Sequence, residues 1–346
     1  MIYAKKFAII CALLAFGSAN AADITKCVGS INKTMSDNKT VTFWGYATVV
    51  PGGGMGGGCA ATVPAAPIDV AVGETLNLTL NITGMTPQEA APYNGHTIHL
   101  HGADVATSED GVPDTGAAVT GDTYTFTPTN VMSGSYMYHC HVHTVKHLEM
   151  GMYGPMIVRP KDPNKAGAYL NQITDSPVTA YSFEKIYLFS TVDPAYHTAI
   201  QDDPVFADYN PKYFLINGAE GIRLINGAED NTPTQNMNTA GALSAVTLAA
   251  KPNSKVALRL IGLHSVNGTF EIKSASGVPL SFTVYVQDGR AYPTPETVTS
   301  LDIAPAQRFD VIFTTPVNTG VVYPQMTYKK LRDSSAYATV YGKMTF

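Results

Sequence analysis

The chain has 346 residues, and its 22 lysines and arginines against 27 aspartates and glutamates give a formal net charge of -5. Hydrophobic residues make up 45% of the sequence and charged residues 14%, a composition that excludes an intrinsically disordered protein. The mildly acidic balance argues against nucleic acid as a partner, and the length predicts two domains of ordinary size.

The N-terminal residues predict export. Lys5 and Lys6 precede an apolar run at 7–16, and Ala-Asn-Ala at 19–21 forms a small-x-small cleavage site. These features are typical of a secretory signal peptide, here residues 1–21. The run is too short to span a bilayer, and the rest of the sequence lacks a stretch of about 18 apolar residues. We therefore expect a periplasmic or secreted protein without a membrane span, cleaved near Ala21.

Cleavage would remove Cys11 and leave Cys27, Cys59 and Cys140. In an oxidising compartment Cys27 and Cys59 can form a disulfide. The alternative is that both are buried free thiols. Cys140 lies between two histidines, so metal binding is the natural interpretation of the remaining thiol.

Short segments with apolar residues at period two recur along the chain and predict β-strands. They lie at 68–82, 123–127, 136–142, 154–159, 185–191, 255–263, 282–286, 308–315 and 336–346. Glycines and prolines separate these segments, as is typical of β-sandwiches. We predict an all-β fold, with a metal-binding domain at 22–160, a linker at 161–178 and a second domain at 179–346. The glycine-rich segment 51–58 is interpreted as a surface loop.

Seven of the nine histidines lie in two clusters, HTIHLHG at 96–102 and HCHVHTVKHLEMGM at 139–152. Imidazole is the commonest transition-metal ligand, and a thiolate selects softer metals. Alternate strand residues share a face, so His99 and His101 point together, while His139 and His141 point away from Cys140. This alternation predicts two metal sites on opposite faces of one strand.

Cys140 with two histidines and a methionine would form the trigonal site with a long axial Met that is typical of blue copper. His147 and Met152 follow the strand closely enough to close such a site, and His96 supplies the second imidazole. Structural zinc fits less well, because it prefers Cys-rich or Cys₂His₂ ligand sets. His143 fits neither site and is interpreted as exposed or accessory.

At these residues the chain resembles the multicopper oxidases and copper nitrite reductases, whose type 1 loop reads His-Cys-His, then a histidine and an axial methionine. HGADVATSEDG (101–111) and MYGPMIVRP (152–160) also resemble two-domain laccases. The resemblance implies two cupredoxin-like, plastocyanin-like Greek-key domains with copper as the cofactor. It implies a type 1 copper at His96, Cys140, His147 and Met152, and type 2 or type 3 copper at His99, His101, His139 and His141.

Three departures from the family pattern stand out. The segment between His141 and His147 holds five residues, where the common oxidase motif has three. His99 stands where nitrite reductases carry their catalytic aspartate, which favours an oxidase. The second domain resembles the copper-free domain of three-domain oxidases at 259–272 and 301–313, and it retains only His197 and His264.

Family members build a trinuclear copper cluster from four His-x-His pairs, and this chain carries two. In one possible arrangement of subunits, a two-fold axis brings two N-terminal domains face to face and duplicates every ligand. In the other, His101 and His139 hold a single type 2 copper with a third ligand from a neighbouring subunit, for which His264 is the obvious candidate. Both arrangements imply a homo-oligomer, which would be a dimer, trimer or hexamer.

The leading hypothesis is an exported copper-dependent oxidoreductase in which electrons pass from a donor to the type 1 site, through His139 or His141 to a second copper site, and on to dioxygen. The donor would be a phenol, a metal ion such as Cu(I) or Mn(II), or a redox protein. Asp104, Glu109 and Asp110 are candidates for acid-base help. The alternatives are a blue-copper electron-transfer protein without oxidase activity, or a periplasmic copper-binding protein.

Overall fold

A computed structural model describes residues 22–49, 59–81, 95–113, 123–126, 131–165, 168–198, 209–222, 224–225, 228–229 and 240–346. The predicted signal peptide and the glycine-rich segment 51–58 lie outside these residues. Among the residues that are described, no helix is long and apolar enough to cross a membrane. Strands occur at every predicted segment, which confirms the all-β prediction.

The N-terminal half forms two four-stranded sheets, in the orders β2-β1-β4-β6 and β3-β8-β7-β5. The strands are β1 Ala22–Thr34, β2 Thr40–Thr48, β3 Ile68–Ala71, β4 Leu76–Asn81, β5 His99–His101, β6 Thr123–Phe126, β7 Gly134–His139 and β8 Tyr153–Arg159. Buried residues of both sheets meet in one core that includes Leu78, Tyr138 and Met156. The half is therefore a β-sandwich.

The second half contains two large sheets, one in the order β10-β9-β14-β20-β17-β18 and one with seven strands, and a small two-stranded sheet, β11-β12. Its first strands are β9 Phe183–Val192, β10 Tyr213–Ile216, β11 Leu224–Ile225, β12 Ala228–Glu229, β13 Thr247–Ala249, β14 Lys255–Leu263, β15 Asn267–Ser274 and β16 Pro279–Leu280. The remaining strands are β17 Phe282–Gln287, β18 Arg290–Val298, β19 Ser300–Ile303, β20 Arg308–Thr314, β21 Val321–Lys329, β22 Ala336–Tyr341 and β23 Lys343–Thr345. Both sheets contribute to a second, separate core.

Short helices occur at α1 Thr144–Met150, α2 Pro194–Thr198 and α3 Ala240–Val246. Helix α1 contains His147 and lies between His141 and Met152, within the stretch that the family resemblance describes as the type 1 loop. The predicted strand 136–142 ends earlier than expected, at His139. Gly151 ends α1 in the left-handed conformation, with φ 107°.

The two halves pack against each other through apolar contacts. Strands β7 and β8 are buried along their whole length, because one face meets the sandwich core and the other meets the second half. At this contact Met137 and Tyr153 pack with Leu188 and Ile261. The hairpin β1–β2 extends over the second half, where Phe43 packs in a further cluster.

A chain of buried charges also joins the two halves. Arg159 of β8 binds Asp69 with two hydrogen bonds of 2.6 and 2.8 Å, and it binds Glu184 of β9 at 2.8 and 3.1 Å. Oε1 of Glu184, which accepts one of these bonds, also accepts a 2.9 Å bond from Nε of Arg259 on β14. Arg259 in turn lies 3.1 Å from Asp310, whose other oxygen accepts the backbone N–H of Ser135 at 2.9 Å.

Cys27 and Cys59 form the disulfide that the sequence suggested, with Cα atoms 5.8 Å apart. Cys140 is a buried free thiol. The alternative of two further free thiols is therefore wrong, and Cys140 is available for another role.

Candidate metal centres

The first centre lies inside the N-terminal sandwich, around Cys140. Its Sγ atom is 3.0 Å from Nδ1 of His147 and 3.8 Å from Nδ1 of His96. The two imidazole rings lie 4.8 Å apart. A sulfur and two nitrogens that converge in this way match the ligand set of a soft transition metal.

Local backbone geometry brings these side chains together. Cys140 directly follows β7, and α1 carries His147 back towards it. The turn at Gly151 then places Met152, whose carbonyl accepts the Cys140 N–H at 3.1 Å. A side chain at Gly151 would collide with Val63 and with the Trp44 carbonyl, so this turn requires glycine. Met152 is fully buried in the same core cluster as Cys140.

Thr97 and Tyr46 support this centre, and the sequence analysis identified neither of them. The backbone N–H of Thr97 donates to Cys140 Sγ at 3.4 Å, and its hydroxyl accepts the His141 N–H at 2.8 Å. The Tyr46 hydroxyl donates to the Thr97 carbonyl at 2.6 Å. These bonds hold the segment that joins His96 to β5, as outer partners commonly do at metal sites.

Burial controls the protonation of the first centre. Desolvation raises the pKa of the Cys140 thiol to about 11, despite hydrogen bonds that lower it. Desolvation also lowers the pKa of His147 to about 2, with a smaller effect of nearby positive charges. At neutral pH the imidazole is therefore a free base that can accept a metal, while the thiol must lose its proton on binding.

The second centre lies at the ends of β5 and β7. These strands are antiparallel and pair His99 with His139 and His101 with Met137. The rings of His99 and His139 lie 5.0 Å apart, and Nδ1 of His101 is 3.2 Å from Nε2 of His139. His141 lies beyond the end of the strand, but its ring stacks on His139 at 5.9 Å.

Outer contacts orient these rings. Nδ1 of His99 lies 2.7 Å from the Asp110 carbonyl and 3.2 Å from its carboxylate, and Nδ1 of His139 lies 2.9 Å from the Cys140 carbonyl. In both rings Nδ1 is the donor, so Nε2 is the unprotonated nitrogen that can bind a metal. Desolvation is the main cause that lowers the pKa of His139 to about 3 and of His101 to about 4.

The three carboxylates that the sequence suggested for acid-base help occupy different places. Asp110 contacts His99, as described above. Asp104 instead forms an exposed ion pair with Arg290 at 2.9 Å. Glu109 lies in a 3₁₀ turn, Thr107–Glu109, that has no buried residue.

A cavity of about 510 Å³ opens in front of the second centre. It is lined by residues of both halves, including the four histidines of the second centre, Glu149 and His264. Nδ1 of His264 donates to the Val266 carbonyl, and its buried Nε2 has no hydrogen-bond partner among the described residues. His197 lies elsewhere, with Nδ1 2.6 Å from the Thr42 carbonyl and Nε2 3.6 Å from Glu149.

Arg308 of the second half reaches the second centre, which the sequence analysis did not anticipate. Its guanidinium lies against Gly102, next to His101, and contributes to the low pKa of His101. It donates to the Ala306 carbonyl and forms an ion pair with Asp288, both at 2.9 Å. The second half therefore adds a positive charge beside the four imidazoles.

Models of the multicopper oxidase family match the chain at residues 57–163 and 195–339, together more than half of its length. Copper resistance protein A of Pseudomonas syringae pv. tomato is 27% identical over 255 residues, which are 66% of this chain and 39% of that protein. The chain thus spans well under two thirds of this curated relative.

Solved structures of multicopper oxidases share the fold. Fet3p, a multicopper oxidase that functions in iron import, is 20% identical with a TM-score of 0.65, over 93% of this chain and 52% of that one. The blue copper oxidase from Nitrosomonas europaea is 19% identical with a TM-score of 0.63, over 93% of this chain and 85% of that one. The two β-sandwiches are therefore cupredoxin-like domains.

Proposed function

The chain belongs to the multicopper oxidase family, whose cofactor is copper, and we propose that it is an exported oxidoreductase that transfers electrons from a donor to dioxygen. The observation that carries this proposal is the position of Cys140 between His139 and His141. Its thiol faces His96 and His147 inside the sandwich, while the neighbouring imidazoles face His99 and His101 outside it. The division into domains at 22–160 and 179–346, with a linker at 161–178, is part of the proposal.

We assign His96, Cys140, His147 and Met152 to a type 1 copper, and His99, His101, His139 and His141 to the second copper centre. The ligand atoms of His96, Cys140 and His147 lie within 4.8 Å of one another, as do those of His99, His101 and His139. Metal–ligand bonds of about 2.0–2.3 Å therefore require only small closing movements. The donor atoms suit the metal too, since a buried thiolate and thioether favour copper at the first set.

Copper would supply one-electron redox chemistry at each centre. The chain supplies the environment: Cys140 and Met152 are fully buried, so the first centre excludes water. A single peptide unit on each side of Cys140 leads to an imidazole of the second centre, which is the shortest covalent connection between the two sets. Asp110 holds the ring of His99, and Arg308 disfavours a proton on His101.

One chain carries two His-x-His pairs where the family's trinuclear cluster uses four, so we keep the homo-oligomer as part of the proposal. His264 of the same chain lines the cavity in front of the second centre. A further imidazole therefore need not come from a neighbouring subunit.

Copper analysis of selected variants tests the proposal. Wild-type protein should bind more than one copper per chain, show the intense blue absorption of a copper–thiolate centre and consume oxygen with a donor. Cys140→Ser should lose the blue absorption and oxygen uptake, whereas His101→Ala should keep the blue absorption and lose oxygen uptake. His143→Asn is the matched control, because asparagine tolerates the left-handed backbone at His143.

A wild-type protein with a single blue copper and no oxygen uptake would instead support the electron-transfer alternative. Oxygen uptake that persists in Cys140→Ser would contradict the proposed route through the first centre. If His101→Ala removed both properties while the protein remained folded, two separable centres would be excluded.

A further inference from the structure

We propose that Glu149 is a positioning residue for the first centre, through which the second domain holds the ligand His147 in place. Tyr209 and His197 are the second-domain side chains that act through Glu149. The inference rests on the proposed function, because it concerns the metal bound at the first centre. It gives the second domain a part in the redox chemistry, although none of the four ligands assigned to this centre lies there.

The position of His147 depends on the short helix that carries it. Helix α1 has seven residues, which is too few for a helix to be stable without tertiary contacts. The other three assigned ligands of the first centre lie outside this helix. The surroundings of α1 therefore decide where the His147 imidazole lies.

The second domain contacts α1 on both sides of His147 in the sequence. Before it, the Lys146 ammonium donates a hydrogen bond to the Tyr196 carbonyl of α2. After it, Leu148 packs against the apolar cluster at the domain contact, which includes Leu188. Helix α1 is thus part of the domain contact as well as of the first centre.

Glu149 makes the most specific of these contacts. Its side chain is buried, and it lies two residues after His147. Oε1 accepts the backbone N–H of Asp193 at 2.6 Å, and Oε2 accepts the hydroxyl of Tyr209 at 3.0 Å. Hydrogen bonds to a carboxylate are stronger than neutral ones, and a buried carboxylate that lost them would be poorly solvated. The two bonds therefore fix the C-terminal end of α1 against the second domain.

Tyr209 donates to Glu149 from a fixed position. Because its proton goes to the carboxylate, its oxygen accepts from the hydroxyl of Thr191 on β9, at 2.8 Å. The Thr191 oxygen accepts the backbone N–H of Ser265 at 3.1 Å. A chain of three hydrogen bonds thus leads from the backbone of the second domain to the helix that carries a ligand of the first centre.

His197 bridges the two elements that enclose His147. Its Nδ1 donates to the Thr42 carbonyl of β2 at 2.6 Å, and its Nε2 lies 3.6 Å from the Glu149 carboxylate. Trp44, two residues further along β2, stands edge-on to His147 with ring centroids 5.4 Å apart. One imidazole of the second domain therefore contacts both β2 and α1 beside the ligand.

A ligand that is held in place binds a metal more tightly, because it loses less freedom on binding. Without the Tyr209 hydroxyl, α1 would be held less firmly. The metal affinity of the first centre should then fall, and its copper–thiolate absorption should change. A contact that only joined the two domains would lower the free energy of unfolding and leave both of these properties as they are.

Cobalt(II) binding to the metal-free protein measures this affinity, since a thiolate-to-cobalt absorption reports metal at Cys140, the free thiol of the described residues. Tyr209→Phe should raise the dissociation constant by about tenfold, the lower end of the effect of outer partners at metal sites. His197→Gln should raise it too. Tyr181→Phe is the matched control, because Tyr181 donates at 2.9 Å to the carboxylate of Glu184, outside α1.

Two further measurements separate positioning from stability. In the copper-loaded protein, Tyr209→Phe should shift the maximum of the blue absorption, whereas Tyr181→Phe should leave it in place. In the Glu149→Gln background, Tyr209→Phe should have a smaller effect on the cobalt dissociation constant, because coupled groups are not additive. Additive effects would overturn the route through Glu149.

A cobalt dissociation constant for Tyr209→Phe within about twofold of the wild type would overturn the inference, since independent effects agree only to that precision. An equal loss in Tyr181→Phe would also overturn it, because it would indicate a general loosening of the domain contact. If circular dichroism showed that Tyr209→Phe is unfolded, an unchanged dissociation constant in His197→Gln would be decisive in the same way.

These outcomes leave the proposed function intact. A wild type that bound neither copper nor cobalt at Cys140 would instead overturn the proposed function, and this inference with it.

Discussion

Replacing Glu184 with glutamine should weaken the attachment between the two domains. The Glu184 carboxylate lies between Arg159 of the first domain, at 2.8 Å, and Arg259 of the second, at 2.9 Å. Arg259 is completely buried, and its other ionic partner is Asp310. A neutral amide at position 184 would remove one negative charge from beside the buried guanidinium groups of Arg159 and Arg259, so their positive charges would no longer be balanced.

The expected magnitude follows from the same contacts. Burial raises the pKa of Glu184, but the charges of Arg259 and Arg159 outweigh it and lower the pKa to about 2. The unfolded value is about 4.3, so the carboxylate stabilises the fold above that pH and loses this effect as the pH falls towards 2. A fall in the pKa of Glu184 from about 4.3 to about 2 corresponds to about 3 kcal/mol of stability. Removal of one partner from a buried ion pair generally costs about 3–5 kcal/mol, which is consistent with the value from the pKa.

Urea unfolding of the wild type and Glu184→Gln, followed from neutral pH down to about pH 3, measures this effect. The variant should lose about 3–5 kcal/mol at neutral pH, and the difference should shrink as the pH falls below about 4. Glu296→Gln is the control, because Glu296 is exposed on β18. Equal stability at neutral pH, or a difference that stays constant over this range, would refute the reasoning.

Two further predictions concern the architecture, one on the disulfide and one on Gly102. Replacing Cys27 and Cys59 with serine opens a loop with a sequence separation of 32 and should cost about 2–4 kcal/mol in chemical unfolding; an unchanged midpoint would show that the unfolded chain is already restricted. Gly102→Ala should cost about 1–2 kcal/mol for its left-handed backbone, at φ 83°, and more because the new Cβ displaces the Arg308 guanidinium. Gly73→Ala, at φ 80° with open space around it, isolates the backbone effect, so equal losses at both positions would contradict the Arg308 contact.

Local sequence was enough to predict the all-β fold, because a period of two places apolar side chains such as Leu76, Leu78 and Leu80 on one buried face whatever lies opposite. The ligand types were also local, since Cys140 and its two histidine neighbours must point to opposite sides of an extended segment. Helix α1 was not predicted, because the seven residues Thr144–Met150 around His147 are too few for a helical period to be recognised.

The tertiary structure decided which distant side chains meet. Trp44 and Tyr46 reach the first centre from a hairpin about 95 residues before Cys140 in the sequence, and Arg308 reaches the second centre from the other domain. His264 faces the cavity of its own chain, although the sequence suggested a neighbouring subunit. Such contacts depend on how two sandwiches pack, and no periodicity within a strand carries that information. The alternation of side chains along β5 and β7 thus determines which ligand types lie on each face of the strand. Long-range packing alone determines which distant residues contact those ligands.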